Sequence, residues 1–217
     1  MNLISMFEES TKNNVDSNIL FWDYNEKITY HELWKSSIYI SGLIKSVTQS
    51  QDNKSVVLIQ TIDSRNTLCA FWGSILAESI PALYPIGSDI QKHILRVTEL
   101  CEKFSIKVIV ADDVLYPIFM KHIQGVQIVL AGDKNDAPCP SYIDSNSSRK
   151  NTNSKSETAM LQFSSGSTGT PKGVMLSNEN IISNVRAIVD RIHVQENDTV
   201  FNWLPLSHDF GIIVMHI

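Results

Sequence analysis

The chain has few of the residues that staple a fold, and it lacks the patterns that cross a membrane or bind nucleic acid. Its three cysteines, Cys69, Cys101 and Cys139, are odd in number, widely separated and in no metal-ligand spacing. That argues against a disulfide framework or a zinc site and leads us to expect a reducing, cytoplasmic location. No apolar run approaches the ~20 residues that a bilayer-crossing helix needs. The opening MNLISMFEESTKNN has no basic stretch followed by an apolar core, so neither secretion nor a membrane span is expected. Acidic residues outnumber basic ones, 23 to 18, for a formal net charge of -5, and Lys and Arg nowhere cluster. A nucleic-acid partner is therefore not expected, because phosphate binding relies on clustered cations that displace counterions. With 43% hydrophobic and 19% charged residues in 217, the chain has the makings of a globular fold with one sizeable core.

Elements follow from periodicity and caps. A short helix is predicted near residues 2–12 and a brief strand from Ile28 to Tyr30. Thr29 with Glu32 forms a capping-box pattern that opens a helix running to about Val47. Leu33, Ile40, Leu43, Ile44 and Val47 give that helix one apolar stripe. Val56 to Gln60 reads as a strand, with Ser64 placed as the N-cap of a helix containing Leu68, Phe71, Trp72 and Ile75. A second unit pairs a strand from Ile80 to Tyr84 with a helix after Ser88 or Asp89. A third pairs Lys107 to Val110 with Asp113 to Ile123, and a further strand is expected from Val126 to Leu130. Such alternation predicts an α/β fold, a mostly parallel sheet with helices on both faces. No internal repeat is visible.

From Asp133 to Glu157 the composition turns to Ser, Asn and charge, as in a polar surface loop or linker. Strand-like residues resume from Thr158 to Phe163 and lead into LQFSSGSTGTPKGVMLS, Leu161 to Ser177. Gly166 and Gly169 let backbone N–H groups approach phosphate oxygens. The hydroxyls of Ser164, Ser165, Ser167, Thr168 and Thr170 donate hydrogen bonds, and Lys172 adds positive charge. A flexible Ser/Gly connection has the same composition, and residue order separates the two readings. The P-loop of nucleotide triphosphatases does not fit: counted from Gly166, Pro171 stands at the second Gly, and Gly173 replaces the Ser or Thr after Lys172.

Instead, Ser165-Gly166-Ser167-Thr168-Gly169-Thr170-Pro171-Lys172-Gly173 closely resembles the signature loop of the adenylate-forming (AMP-binding) ligase superfamily. That superfamily holds acyl-CoA synthetases, peptide-synthetase adenylation domains and firefly-type luciferases. Ile28 to Leu33, ITYHEL, resembles its early ITYxEL segment. Ala77 to Pro85, AESIPALYP, resembles its G-x-x-x-x-P-x-x-P segment, with Glu78 standing near where the family commonly has Gly. Thr199 to Ile217 resembles the region after the phosphate loop, where a strand runs into a helix lining the acyl pocket.

The resemblance spans essentially all 217 residues and implies the incomplete amino-terminal part of the large domain, one partial AMP-binding domain over 1–217. The later Mg²⁺-binding Glu motif, the ribose-binding Asp and the carboxy-terminal lid with its catalytic Lys are not found before Ile217. No catalytic set is therefore complete within these residues, and no metal ligand is expected among them. The resemblance also implies ATP as substrate, Mg²⁺ in the complete enzyme, and attack of a carboxylate on the α-phosphorus to give acyl-AMP. Transfer to a carrier-protein phosphopantetheine or a CoA thiol would follow. Ser164 to Lys172, with Pro171 in the loop, would hold the β- and γ-phosphates. His208 and Asp209 would gate or orient at the acyl pocket.

Trp203 to Gly211, WLPLSHDFG, resembles most the fatty-acyl-AMP ligases and the starter-loading ligases of polyketide and hybrid assembly lines, which implies a fatty or other non-amino acid. Two alternatives stay open. Asp209 matches the position that binds an α-amino group in amino-acid-activating members, and residues 1–217 alone also fit a noncatalytic nucleotide-binding remnant.

Overall fold

A computed structural model describes residues 2–13, 17–21, 25–48, 54–132, 157–164, 171–195 and 198–217. The polar stretch expected at 133–157 lies outside them except for its last residue.

The described chain forms α1 (Leu3–Asn13), a hairpin of β1 (Asn18–Phe21) and β2 (Glu26–Thr29), and then α2 (Tyr30–Thr48). The expected strand through Tyr30 stops one residue earlier because the capping box closes on Thr29. The Thr29 backbone N–H and hydroxyl donate to the Glu32 carboxylate, and the Glu32 N–H donates to the Thr29 hydroxyl. There follow β3 (Val56–Gln60), α3 (Ser64–Leu76), β4 (Ile80–Leu83), α4 (Ile90–Lys103), β5 (Val108–Ala111), α5 (Tyr116–His122) and β6 (Gln127–Leu130). β7 (Thr158–Ser164), β8 (Lys172–Ser177) and α6 (Asn178–Ile192) complete the regular elements, apart from a short π-helix at Phe210–Val214.

Other boundaries also differ from expectation, most of the later strands by a residue at one or both ends and two helices for a visible reason. Asp63, not Ser64, caps α3, its carboxylate accepting from Asn66 N at 2.9 Å. The helix foreseen over Asp113 to Ile123 shrinks to α5, since the Asp112 carboxylate captures Leu115 N in a turn and Pro117 enters the first helical turn.

The main sheet has the order β6-β5-β3-β4-β7-β8, parallel except for β8, which runs antiparallel to β7. Its inner strands are buried on both faces. Val57 and Ile59 face α1, α2 and α3, while the intervening Leu58 faces α4 and α5. The first layer is tight: Phe7 stacks on Trp72 with centroids 4.1 Å apart. α3 and α4 end in left-handed residues, Glu78 (φ 58°) and Ser105 (φ 53°). In each case the next two N–H groups return to helix carbonyls: Glu78 and Ser79 to Ile75 and Ser74, Ser105 and Ile106 to Glu102 and Cys101. The Gly common in the resembling family at the Glu78 position suits this backbone, which a side chain occupies at a cost.

Candidate active site

Of the candidate phosphate-loop residues, Ser164 ends β7 and Lys172 opens β8. Ser164 and Lys172 are Cα partners in the last rung of that antiparallel ladder, as Phe163 and Gly173 are in the rung before. Both ends of the segment are thereby held side by side. Ser165, Gly166, Ser167, Thr168, Gly169 and Thr170 lie outside the described residues. Of the rest, Pro171 is buried and Lys172 exposed.

The returning arm rests on the end of α4, a support that sequence reading missed. Lys103 Nζ donates to the Pro171 carbonyl at 3.2 Å and lies 5.3 Å from the Phe104 ring centre. A Cβ on Gly173 would come within 2.9 Å of Phe104 and 3.0 Å of Leu161, so only glycine lets the strand approach this closely. No local pattern links Lys103 to Pro171; only the packing of α4 brings them together.

A cleft of about 490 Å³ opens at the carboxyl ends of β3 and β4. These neighbouring strands feed α3 and α4 on opposite faces, so the two connections part and leave a crevice, the usual place for a ligand in such a sheet. Ile62 and Ser64 line one side, Tyr84 and Ile86 the other, and Leu206 and Ser207 close it. None of the described side chains lining it is charged.

Buried polar side chains fix its walls. Gln60 Nε2 donates to the Tyr84 and Ile59 carbonyls at 2.8 and 2.9 Å, and Gln60 Oε1 lies 2.7 Å from His93 Nε2. Gly87 N donates to His93 Nδ1 at 3.3 Å. That contact assigns the proton to Nε2, which donates to Gln60. Burial pushes the His93 imidazole below its ordinary pKa and keeps it neutral. The buried Asp112 carboxylate accepts from the backbone N–H groups of Ile62 and Asp63, tying the β3–α3 connection to the end of β5.

The segment carrying His208 and Asp209 reaches the same edge. The expected strand before it does not form: residues 198–207 are irregular, and the helix is the short π-helix at Phe210–Val214. Pro205 and Leu204 carbonyls turn inward against Gly211, where an added Cβ would sit 2.3 Å from the Pro205 oxygen. His208 N donates back to the Pro205 carbonyl at 2.9 Å. Both side chains face outward, 65% and 61% exposed, with His208 Nδ1 2.7 Å from Asp209 Oδ1. Asp209 Oδ1 also accepts from Phe210 N at 2.7 Å. The structure thus brings the segment to the cleft while directing these two side chains to its outer rim. Gln162 of β7 holds it there, donating to the Ser207 carbonyl at 2.9 Å. Among the described residues no three His, Cys, Asp or Glu side chains gather to hold a metal ion, and no helix is long and apolar enough to cross a membrane.

Known proteins share this fold. The chain is 27% identical to bacitracin synthase 2 of Bacillus licheniformis over 95% of its own residues and 7% of that protein. It is 26% identical to the probable long-chain-fatty-acid–AMP ligase FadD30 of Mycobacterium tuberculosis over 99% of its residues and 39% of that protein. Among solved structures, McyG A-PCP complexed with phenylalanyl-adenylate superposes with a TM-score of 0.81 at 22% identity, over 98% of this chain and 34% of that one. The fatty acid AMP ligase from Legionella pneumophila gives 0.80 at 21%, over 98% and 36%. The chain therefore spans well under half the length of these relatives. The family model for AMP-binding enzymes matches residues 7–217, and the chain belongs to that family, the adenylate-forming enzymes.

Proposed function

We propose that this chain supplies the phosphate-binding part of an enzyme that activates a carboxylic acid with ATP, forming acyl-AMP and pyrophosphate. The observation carrying this reading is the hairpin whose last rung pairs Ser164 with Lys172 around the family's loop sequence. Backbone N–H groups and hydroxyls over Ser164 to Thr170 would hold the β- and γ-phosphates, and Lys172 would offset the charge gathering on departing pyrophosphate. Pro171, carried on Lys103, would set where the loop ends. ATP enters as substrate. Mg²⁺, held chiefly by the phosphates and water, would offset their charge in the complete enzyme, and no step here is routed through it.

The acid is a fatty or other non-amino acid. An α-ammonium would call for a carboxylate inside its site, whereas the described side chains lining the cleft are uncharged and Asp209 lies at the rim, engaged with His208 and Phe210 N. His208 and Asp209 would orient the acid at the entrance. The acyl group would then pass to a carrier-protein phosphopantetheine or to CoA. Acid-dependent exchange of pyrophosphate into ATP tests the reading: fatty acids should support it better than amino acids. The reverse ranking would establish the second reading, amino-acid adenylation, which the overlay on the phenylalanyl-adenylate complex favours; Asp209 would then have to turn from the rim into the cleft. Under that reading Asp209→Ala abolishes amino-acid activation.

A further inference from the structure

Gln162 lies on β7 shortly before Ser164 and is 9% exposed. Its Nε2 holds the Ser207 carbonyl, and that carbonyl belongs to the peptide bond that carries His208. Its register partner Leu83 lines the cleft, as Ser207 does. The amide therefore sits between the cleft wall, the strand that enters the phosphate loop and the start of the His208 segment.

The other half of the amide is unusual. Gln162 Oε1 is buried and meets no donor among the described residues. An unpaired buried acceptor is costly, and replacing both partners of such a contact by apolar groups of similar shape is nearly neutral. Met160 and Leu83, in the same layer, show that apolar side chains fill this face. A glutamine kept at such a place breaks the local rule, and departures of that kind gather at functional sites.

We propose that Gln162 is a positioning residue that fixes the His208–Asp209 segment relative to the β7–β8 hairpin. The inference rests on the functional reading given above. β7 is held by β4 on one side and β8 on the other, so it offers a rigid bar. Hydrogen-bonded to that bar, the Ser207–His208 peptide stays in register with Ser164 and Lys172 at the hairpin end while a carboxylate approaches the α-phosphorus, a step sensitive to ångström-scale misplacement.

Gln162→Met in the intact protein separates this role from plain structural support. Expected are a melting temperature within about 4 °C of wild type, since loss of the unpaired Oε1 offsets the Ser207 carbonyl left without its donor, and an ATP affinity, by calorimetry, within about twofold. Acid-dependent kcat/KM should fall about tenfold, one neutral hydrogen bond expressed as a rate ratio. Amide hydrogen exchange should quicken over 204–210 while the β7 amides keep their protection. Normal activity and unchanged exchange at 204–210 would overturn the proposal. So would a joint loss of stability, ATP binding and activity, which marks a structural residue. Should the Met variant fail to fold, Gln162→Glu keeps length and acceptor but loses the donor, and wild-type activity in that variant would count equally against it. A wild-type protein that binds no ATP would instead sink the phosphate-loop reading, leaving the exchange at 204–210 to decide whether the tether exists.

Discussion

His93 Nε2 and Gln60 Oε1 meet at 2.7 Å beneath the cleft, joining α4 to the end of β3. Through Gly87 N on one side and the Tyr84 carbonyl on the other, this pair fixes both ends of the β4–α4 connection. The pairing needs a neutral imidazole. Protonating Nδ1 would set two donors against each other at Gly87 and put a charge into a site 3% exposed.

Stability should follow that requirement. The folded pKa of His93 lies below its ordinary value, so the unfolded chain takes up the proton more readily. Stability is then full above the ordinary histidine pKa of ~6.5 and declines as pH falls through it toward the folded value. His216, whose Nε2 accepts from Trp72 Nε1 and which burial pushes down to about 4, acts in the same direction, its share lost between ~6.5 and about 4. Urea midpoints measured from pH 8 to pH 5 should fall below pH 6.5. They should fall less steeply in His93→Gln and less still when His216→Gln is added; equal slopes in all three proteins would contradict the assignment.

Glu78→Gly should stabilise the protein. Relief of a left-handed side chain, about 1–2 kcal/mol, outweighs the entropy that glycine adds to the unfolded chain, about 0.4–1 kcal/mol. A gain of roughly 0.5–1 kcal/mol corresponds to about 2 °C in Tm for a chain of this size. A lower Tm would show that the Glu78 side chain gives more than its backbone costs.

Gly211→Ala should do the opposite. Its Cβ would fall 2.3 Å from the Pro205 carbonyl oxygen, a backbone atom with no rotamer to move. Overpacking of this kind costs about 1–3 kcal/mol. The 204–209 segment must shift to relieve it, so acid-dependent pyrophosphate exchange should fall at least about tenfold while ATP binding is retained. Retained exchange would detach this segment from the acid site.

Lys172→Ala tests the loop itself. The side chain is exposed, so stability should change by no more than about 0.5 kcal/mol. Pyrophosphate exchange should fall about 100-fold, the usual effect of removing one donor aimed at developing charge. An equal loss of stability and activity would make Lys172 a structural residue.

Much of the sheet could be read from local sequence. Val56–Gln60, Ile80–Tyr84 and Lys107–Val110 are short apolar runs between helices with legible starts at Thr29 and at Ser88 or Asp89, and they became β3, β4 and β5 to within a residue at each end. Other elements carry weaker signals. α6 begins at a capping box in which Asn180 replaces the usual Glu or Gln, and the β1 strand, NILF, needs β2 to be recognised as a strand at all. The π-helix at Phe210–Val214 follows from the tight packing of Gly211 under Pro205, which no periodicity announces. For the site, Lys172, His208 and Asp209 were visible through motif resemblance. Lys103, Gln162 and the Gln60–His93 pair were not, because each acts through a partner far away in the sequence and close only after packing.

The place of β7 has a consequence for how the chain is made. β7 pairs with β4 through Ala82–Leu161 and Leu83–Gln162, yet α4, β5, α5, β6 and the polar stretch are all synthesised in between. A nascent chain can assemble β6-β5-β3-β4 as it leaves the ribosome, but β4 then waits with one edge bare, and such edges recruit other strands. The hairpin that carries the phosphate loop is the piece that covers this edge. The time taken to synthesise residues 84–157 is therefore the time for which that edge of β4 stays open, and β7 is what closes it.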